Sequence, residues 1–141
     1  MQLENQKANI LVVDDNAAKR LALVSVLESL NQNVITADSG RDALRALLEH
    51  EFAVILLDVQ MPIMNGFETA RLIRSRPQSE STPIIFVTAF SRGETDMVEG
   101  YSIGAVDFIF TPIIPEVLRA KVSVFVDLYH KIQAIRRHEE R

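Results

Sequence analysis

Three aspartates and a threonine draw notice through where they fall. Asp14 and Asp15 close the apolar run Ile10–Val13, Asp58 closes the run Phe52–Leu57, and Thr88 follows the run Ile84–Val87. Short apolar runs without polar alternation are the pattern of strands buried on both faces. In an open parallel sheet, ligands bind at the carboxyl ends of the strands. Three carboxylates and a hydroxyl on that edge would share one crevice. Like charges this close raise one another's proton affinity unless a cation joins them. An all-oxygen set containing carboxylates suits Mg²⁺ better than zinc. Taken singly, Asp14 or Asp15 would serve as a helix N-cap, and Thr88 would be an ordinary structural threonine; their convergence points to a metal site.

The elements that must position these groups follow from periodicity. The first strand leads through Asp14-Asp15-Asn16 into a helical stripe of Leu21, Leu23, Val24, Leu27 and Leu30. Val34–Ala37 is a second strand. Ser39, with Asp42 three residues on, makes a capping-box-like start for a helix whose apolar face is Ala43, Leu44, Leu47 and Leu48. The third strand ends in Asp58, and Met61-Pro62 and Asn65-Gly66 punctuate a short loop after it. A helix is expected from Gly66 to Arg74, a fourth strand from Ile84 to Val87, and a helix from Ser91 to Ile103 stopped by Gly104. Asp107–Phe110 is a short fifth strand, and Pro115 opens a last helix running to the end of the chain. Five strands alternating with five helices require right-handed crossovers, hence an α/β, doubly wound parallel sheet. Order 2-1-3-4-5 puts the switch point between the first and third strands, where Asp14, Asp15 and Asp58 would meet.

The bounds agree. A chain of 141 residues with 48% hydrophobic content fits one domain with a sizeable core. The absence of cysteine excludes a thiol nucleophile, disulfides and a zinc-thiolate site. Residues 1–8 are polar, and no apolar run approaches the ~20 residues that span a bilayer, so a cytoplasmic protein with no membrane partner is expected. Net charge is -4, with acids in excess through residue 115 and bases in excess beyond it; an acidic body is not expected to bind nucleic acid. His50, His130 and His138 are far from the acids in sequence and are expected on solvent-facing helix surfaces. Gly100 and Gly104 read as a helix end, since the segment is too short and too polar for a membrane motif.

Asp14-Asp15, Asp58 followed by Met61-Pro62 and Asn65-Gly66, Thr88-Ala89, and Gly104-Ala105-Val106-Asp107-Phe108 resemble the response regulator receiver domain over about residues 8–127. The resemblance implies a flavodoxin-like fold and a phosphoacceptor role for Asp58, which takes a phosphoryl group from a sensor histidine kinase or a histidine phosphotransfer domain. It also implies Mg²⁺ as cofactor, held by Asp14, Asp15, Asp58 and the backbone carbonyl of Gln60. Thr88 would bond the phosphoryl oxygens and Phe108 would be the aromatic switch. The domain would be a signalling phosphoacceptor that assists its own phosphorylation, not an enzyme. Transfer between a donor and a carboxylate needs positioning and charge neutralisation more than covalent help.

One position departs from the pattern. Receivers usually carry a lysine before the proline after the fifth strand, and here the chain reads Ile109-Phe110-Thr111-Pro112. Thr111 is uncharged and reaches roughly 4 Å less far than a lysine. It cannot replace the phosphoryl counter-ion, although the family pattern implies that Thr111-Pro112 is cis. A second reading is therefore a phosphorylation-independent pseudo-receiver that acts as an interaction or dimerisation module. An aspartyl phosphatase of the haloacid dehalogenase type would need a second acid two residues after Asp58, where Gln60 stands. Dinucleotide binding is disfavoured because no glycine-rich turn follows the first strand. Phe90 has two readings, loop packing or a shield of the phosphoryl group against water.

The last helix outruns the domain. From Pro115 to Arg141 it would span ~40 Å, about twice a typical ~17–20 Å strand. Val122, Phe125, Val126 and Tyr129 are spaced to face the sheet. Leu128, Ile132 and Ile135 continue a four-and-three spacing among Lys131, Arg136, Arg137, Glu139 and Glu140. Residues 1–127 are thus expected to form the receiver, with 128–141 projecting as a coiled-coil seam of a homodimer leading to an output domain, or as a frayed solvated end. The Phe-Thr-Pro-Ile variant followed by Leu118-Arg119-Ala120-Lys121-Val122 is similar to receivers within multidomain sensor kinases, which implies a module of a longer protein.

Overall fold

The structure, a computed structural model, describes residues 6–139. Five parallel strands, β1 (Asn9–Val13), β2 (Asn33–Ala37), β3 (Val54–Asp58), β4 (Ile84–Ala89) and β5 (Asp107–Thr111), form one sheet in the order β2-β1-β3-β4-β5. Between and after them run α1 (Ala17–Leu27), α2 (Gly40–Glu49), α3 (Gly66–Arg74), α4 (Gly93–Ile103) and α5 (Pro115–Glu139). This is the doubly wound flavodoxin-like sheet that the alternation predicts.

The unbroken apolar strands are explained by two cores. Successive strand side chains point to opposite faces. Leu11 and Val13 of β1 join Ala43 and Leu44 of α2 and Phe67, Ala70 and Ile73 of α3 on one face. Ile10 and Val12 join Leu23 and Leu27 of α1 and Leu118, Val122 and Val126 of α5 on the other. Each apolar residue of the central strands is therefore buried in one of the two cores, from Ile10–Val13 through Val54–Leu57 to Ile84–Val87.

Several local expectations shift. Thr88 and Ala89 lie inside β4, and a 3₁₀ turn over Phe90–Arg92 delays α4 to Gly93 instead of Ser91. Leu21 is 66% exposed, because the buried stripe of α1 runs through Leu23 and Leu27, and a residue two before Leu23 lies on the far side of a 3.6-residue turn. Leu48, in the last turn of α2, is also exposed. Gly104 ends α4 with φ 102°, the left-handed cap expected of it. Gly100 is not a helix end; it sits in the buried face of α4.

The last helix is continuous over 25 described residues. Val122 and Val126 are buried, and Phe125 and Tyr129 pack beside them, as the spacing predicts. Beyond Asp127 one face still reaches the body. Tyr129 Oη donates to Glu51 Oε1 at 2.7 Å, Gln133 Nε2 donates to the same oxygen at 3.3 Å, and Arg136 Nη1 lies 3.8 Å from Glu51 Oε2. Burial, reinforced by the hydrogen bond to Glu51, pushes the Tyr129 hydroxyl up to about 12. His130 is half-buried, 3.4 Å from Gln32 Oε1. Along the flank beside it Val124, Leu128, Ile132 and Ile135 are exposed, Leu128 and Ile132 lining a groove shared with Glu51 and Tyr129. Glu140, which the sequence places beside the seam, and Arg141, where the helix is expected to end, lie outside the described residues.

Candidate functional site

The carboxyl edge of the sheet gathers the acids. Asp14 is the first residue past β1 and is fully buried, while Asp15 beside it is exposed. The N-cap that either acid could have provided is made by Asn16, whose side chain accepts from the backbone N–H of Lys19 at 2.9 Å. Asp14 Oδ1 accepts from the Asn16 backbone at 2.9 Å. Asp58 ends β3, is 2% exposed, and lies in register with Val87 of β4. One oxygen from each of Asp14, Asp15 and Asp58 falls within 4.8 Å of the others.

Two buried oxygens of this cluster, Asp14 Oδ2 and Asp58 Oδ2, have no hydrogen-bond donor. Buried polar atoms rarely stay unpartnered. Carboxylate oxygens alone, two of them orphaned and the third acid open to solvent, suit a hard divalent cation that keeps part of its water. Burial first, and then the neighbouring Asp14 charge, raise Asp58 to about 6, against the pull of Lys19. Lys19 Nζ lies 3.4 Å from Asp58 Oδ1 and 3.6 Å from Asp14 Oδ2. Its partial burial works against the ammonium, but the two carboxylates outweigh that and raise its pKa.

The loop after Asp58 is held tightly. Val59 donates to Val87 O at 3.1 Å, and Gly66 donates back to Val59 O at 3.0 Å. Asn65 and Glu68 form a reciprocal capping box, each bond 2.9 Å long, that starts α3. A Cβ on Gly66 would run into the Asp58 carbonyl oxygen, so only glycine lets α3 begin this close to the acid. Gln60 lies in this loop, two residues after Asp58, and is exposed. Ile63 holds φ 69° with its side chain fully in solvent.

The remaining predicted residues line β4 and β5. Thr88 Oγ1 donates to Asp96 Oδ2 of α4 at 2.5 Å, and Arg92 Nη2 lies 3.4 Å from Asp96 Oδ1. Phe108 is buried against Phe86 and Tyr101, ring centroids 5.6 and 5.1 Å away. Gly100 makes room for it: a Cβ there would collide with the Phe108 ring and come within 2.9 Å of Phe86. Lys121 Nζ of α5 donates to Asp107 Oδ1 and to the Phe108 carbonyl, both at 2.9 Å. Thr111 ends β5, half-buried and paired with Ala89, and the Thr111-Pro112 peptide is cis as the family pattern implies. Phe90 is 76% exposed and sets its edge toward Phe110, 5.9 Å between centroids.

Sequence reasoning missed Lys19, Asp96 and the packing role of Gly100. A signal existed for the first: with Asn16 as N-cap, Lys19 belongs to the first turn of a helix that starts at the ligand-binding edge. Asp96 carries no such mark, because an acid in a helix reads as a solvated residue.

A flavodoxin-like sheet with this aspartate cluster and threonine on its carboxyl edge defines a receiver module of two-component signalling. The chain belongs to the response regulator receiver domain family, whose model matches residues 10–123. It is 40% identical over 114 residues to the transcriptional regulatory protein SrrA of Staphylococcus aureus, covering 79% of this chain and 46% of that protein. The chain spans about half the length, or less, of the curated relatives it matches. Among solved structures it resembles the chemotaxis protein CheY4 of Vibrio cholerae, with TM-score 0.77, 34% identity, and coverage of 84% of this chain and 98% of that one. It also resembles the receiver domain of the sensor histidine kinase PA1611 of Pseudomonas aeruginosa, which has a magnesium ion coordinated in its active-site cleft. There the TM-score is 0.78 and identity 25%, over 86% of this chain and 98% of that one. Among the described residues, no helix is long and apolar enough to cross a membrane.

Proposed function

We propose that this receiver accepts a phosphoryl group on Asp58 from the phosphohistidine of a sensor histidine kinase or a histidine phosphotransfer domain. The observation that carries the reading is the meeting of Asp14, Asp15 and Asp58 within 4.8 Å, with two buried oxygens lacking donors. An Asp58 carboxylate oxygen attacks phosphorus, and a new O–P bond forms as the P–N bond breaks. The electron pair of that bond returns to the donor imidazole. Asp14, Asp15, Asp58 and the Gln60 carbonyl would hold Mg²⁺, which when bound would supply charge neutralisation and alignment for the transfer. The magnesium found in the similar PA1611 receiver supports that assignment. Gly66 and the capping box keep the acid on the strand end.

Thr88 follows as a hydrogen-bond donor to the phosphoryl oxygens and Phe108 as the side chain whose packing reports the change. Thr111, at the usual lysine position, contributes no charge. The exposed Val124, Leu128, Ile132 and Ile135 on α5 form the seam of a parallel homodimer. The test is incubation with acetyl phosphate and Mg²⁺, read by intact mass. The wild-type chain gains one phosphoryl group and Asp58→Asn gains none; equal incorporation in the mutant rejects the assignment. A second reading, a phosphorylation-independent interaction module, is favoured by Thr111 and by the engagement of the Thr88 hydroxyl with Asp96. It predicts no incorporation in either chain.

A further inference from the structure

We propose that Lys19 is the counter-ion of the Asp58 phosphoryl group, taking from α1 the part that Thr111 cannot take from β5. The inference rests on the phosphoacceptor reading of Asp58. Among the described residues, Lys19 is the one basic side chain within ion-pair distance of Asp58. The other nearby cations are committed elsewhere. Arg20 Nη1 donates to the Asp14 carbonyl at 2.8 Å, Arg92 pairs with Asp96, and Lys121 holds Asp107 and the Phe108 carbonyl.

The geometry suits a movable charge. The 3.4 and 3.6 Å separations to Asp58 and Asp14 exceed the ~2.7–2.9 Å of a locked charge-assisted hydrogen bond. The ammonium is shared between two carboxylates and bound tightly to neither. Its backbone is anchored by the Asn16 cap, while its side chain remains 42% exposed and free to swing. Phosphorylation replaces the Asp58 charge by a group carrying about two negative charges, in a pocket that already holds Asp14 and Asp15. A cation is needed there, and Lys19 can turn from the carboxylate to the phosphoryl oxygens without any movement of the backbone.

The direction of approach has a consequence. Order β2-β1-β3-β4-β5 puts β1 and β4 on opposite sides of β3. Lys19 follows β1, whereas Thr88 belongs to β4 and Thr111 to β5. A counter-ion on the β1 side meets the phosphoryl oxygens from the side away from Thr88 and does not depend on it. Phosphoryl acceptance and the response of Thr88 and Phe108 are therefore separable in this chain, with Lys19 serving the first.

The test uses the full chain with Mg²⁺ and beryllofluoride, an analogue of the phosphoryl group, followed by fluorine NMR, with calorimetry of Mg²⁺ alone as the second readout. Lys19→Met weakens beryllofluoride binding roughly tenfold or more, the loss expected for a hydrogen bond to a charged group, while Mg²⁺ binding does not weaken. Lys19→Arg retains most of the affinity, and Thr111→Lys added to Lys19→Met restores it. Beryllofluoride binding that is unchanged in Lys19→Met, with tighter Mg²⁺ binding, overturns the proposal: Lys19 would then only balance the acids before the metal arrives. Wild-type phosphate uptake alongside that result leaves the phosphoacceptor reading intact. If the wild-type chain takes up neither phosphate nor beryllofluoride, the phosphoacceptor reading falls and this one with it.

Discussion

The hydroxyl of Thr88 is tied to Asp96. The 2.5 Å bond crosses from β4 to α4, and Asp96 is 1% exposed, so the pair is shielded from water. For Thr88 to reach a phosphoryl group on Asp58 it must leave this partner. The only other side chain bonded to Asp96 among the described residues is Arg92, at 3.4 Å. The bond thus links the carboxyl edge of the sheet directly to α4.

Asp96→Asn keeps the shape of the acceptor and removes its charge. A hydrogen bond to a charged group exceeds a neutral one by about 1 kcal/mol, so the substitution frees Thr88 and tightens beryllofluoride binding roughly fivefold. Fluorine NMR titration of the two proteins checks this. Equal affinities would mean that Thr88 does not move.

Metal-free stability depends on Asp58. Burial, with Asp14 adding to it, raises its folded-state pKa to about 6, while the unfolded chain titrates at about 4. The folded state then binds the proton more tightly, so the contribution of Asp58 to stability is greatest below pH ~4, is lost as pH rises towards ~6, and stays absent above. In chelator, Asp58→Asn is more stable than wild type at pH 7.5, by on the order of 2 kcal/mol, and the difference closes near pH 4. Urea unfolding across pH measures it; a constant difference would show that the Asp58 charge is not the cause. Mg²⁺ bound at the proposed site would stabilise the wild type by mass action.

Ile63 is a β-branched residue at φ 69°, fully exposed. The left-handed region costs such a residue about 1–2 kcal/mol, and glycine enters it without a Cβ clash but loses more chain entropy. Ile63→Gly gives a net gain of roughly 0.5–1 kcal/mol, read as a higher urea midpoint. A lower midpoint would mean that the loop conformation carries no strain at this residue.

The α5 extension has one face docked on Glu51 and another exposing Val124, Leu128, Ile132 and Ile135. The proposed seam predicts a dimer in sedimentation of the full chain and a monomer for a chain ending at Asp127 at the same concentration. Two monomers would assign the seam no dimerising role of its own.

The sequence by itself determined the sheet, its helices and the places of Asp14, Asp15 and Asp58. Those follow from local quantities: the length of an apolar run, the point where it stops, and the period of the next stripe. The Gly66 turn and the Gly104 cap were legible for the same reason. The tertiary structure alone decided what the side chains on those elements meet. Lys19 lies 39 residues from Asp58 and pairs with it because β1 and β3 are neighbours, which no periodicity around Lys19 reports. Asp96 looks like a solvated helical acid until the packing of α4 beside β4 buries it against Thr88. Gly100 looks like a helix end until the rings of Phe86 and Phe108 fill the space its missing Cβ leaves. Periodicity tells which face of an element is buried; only the packing of two elements tells which atom lies across from it.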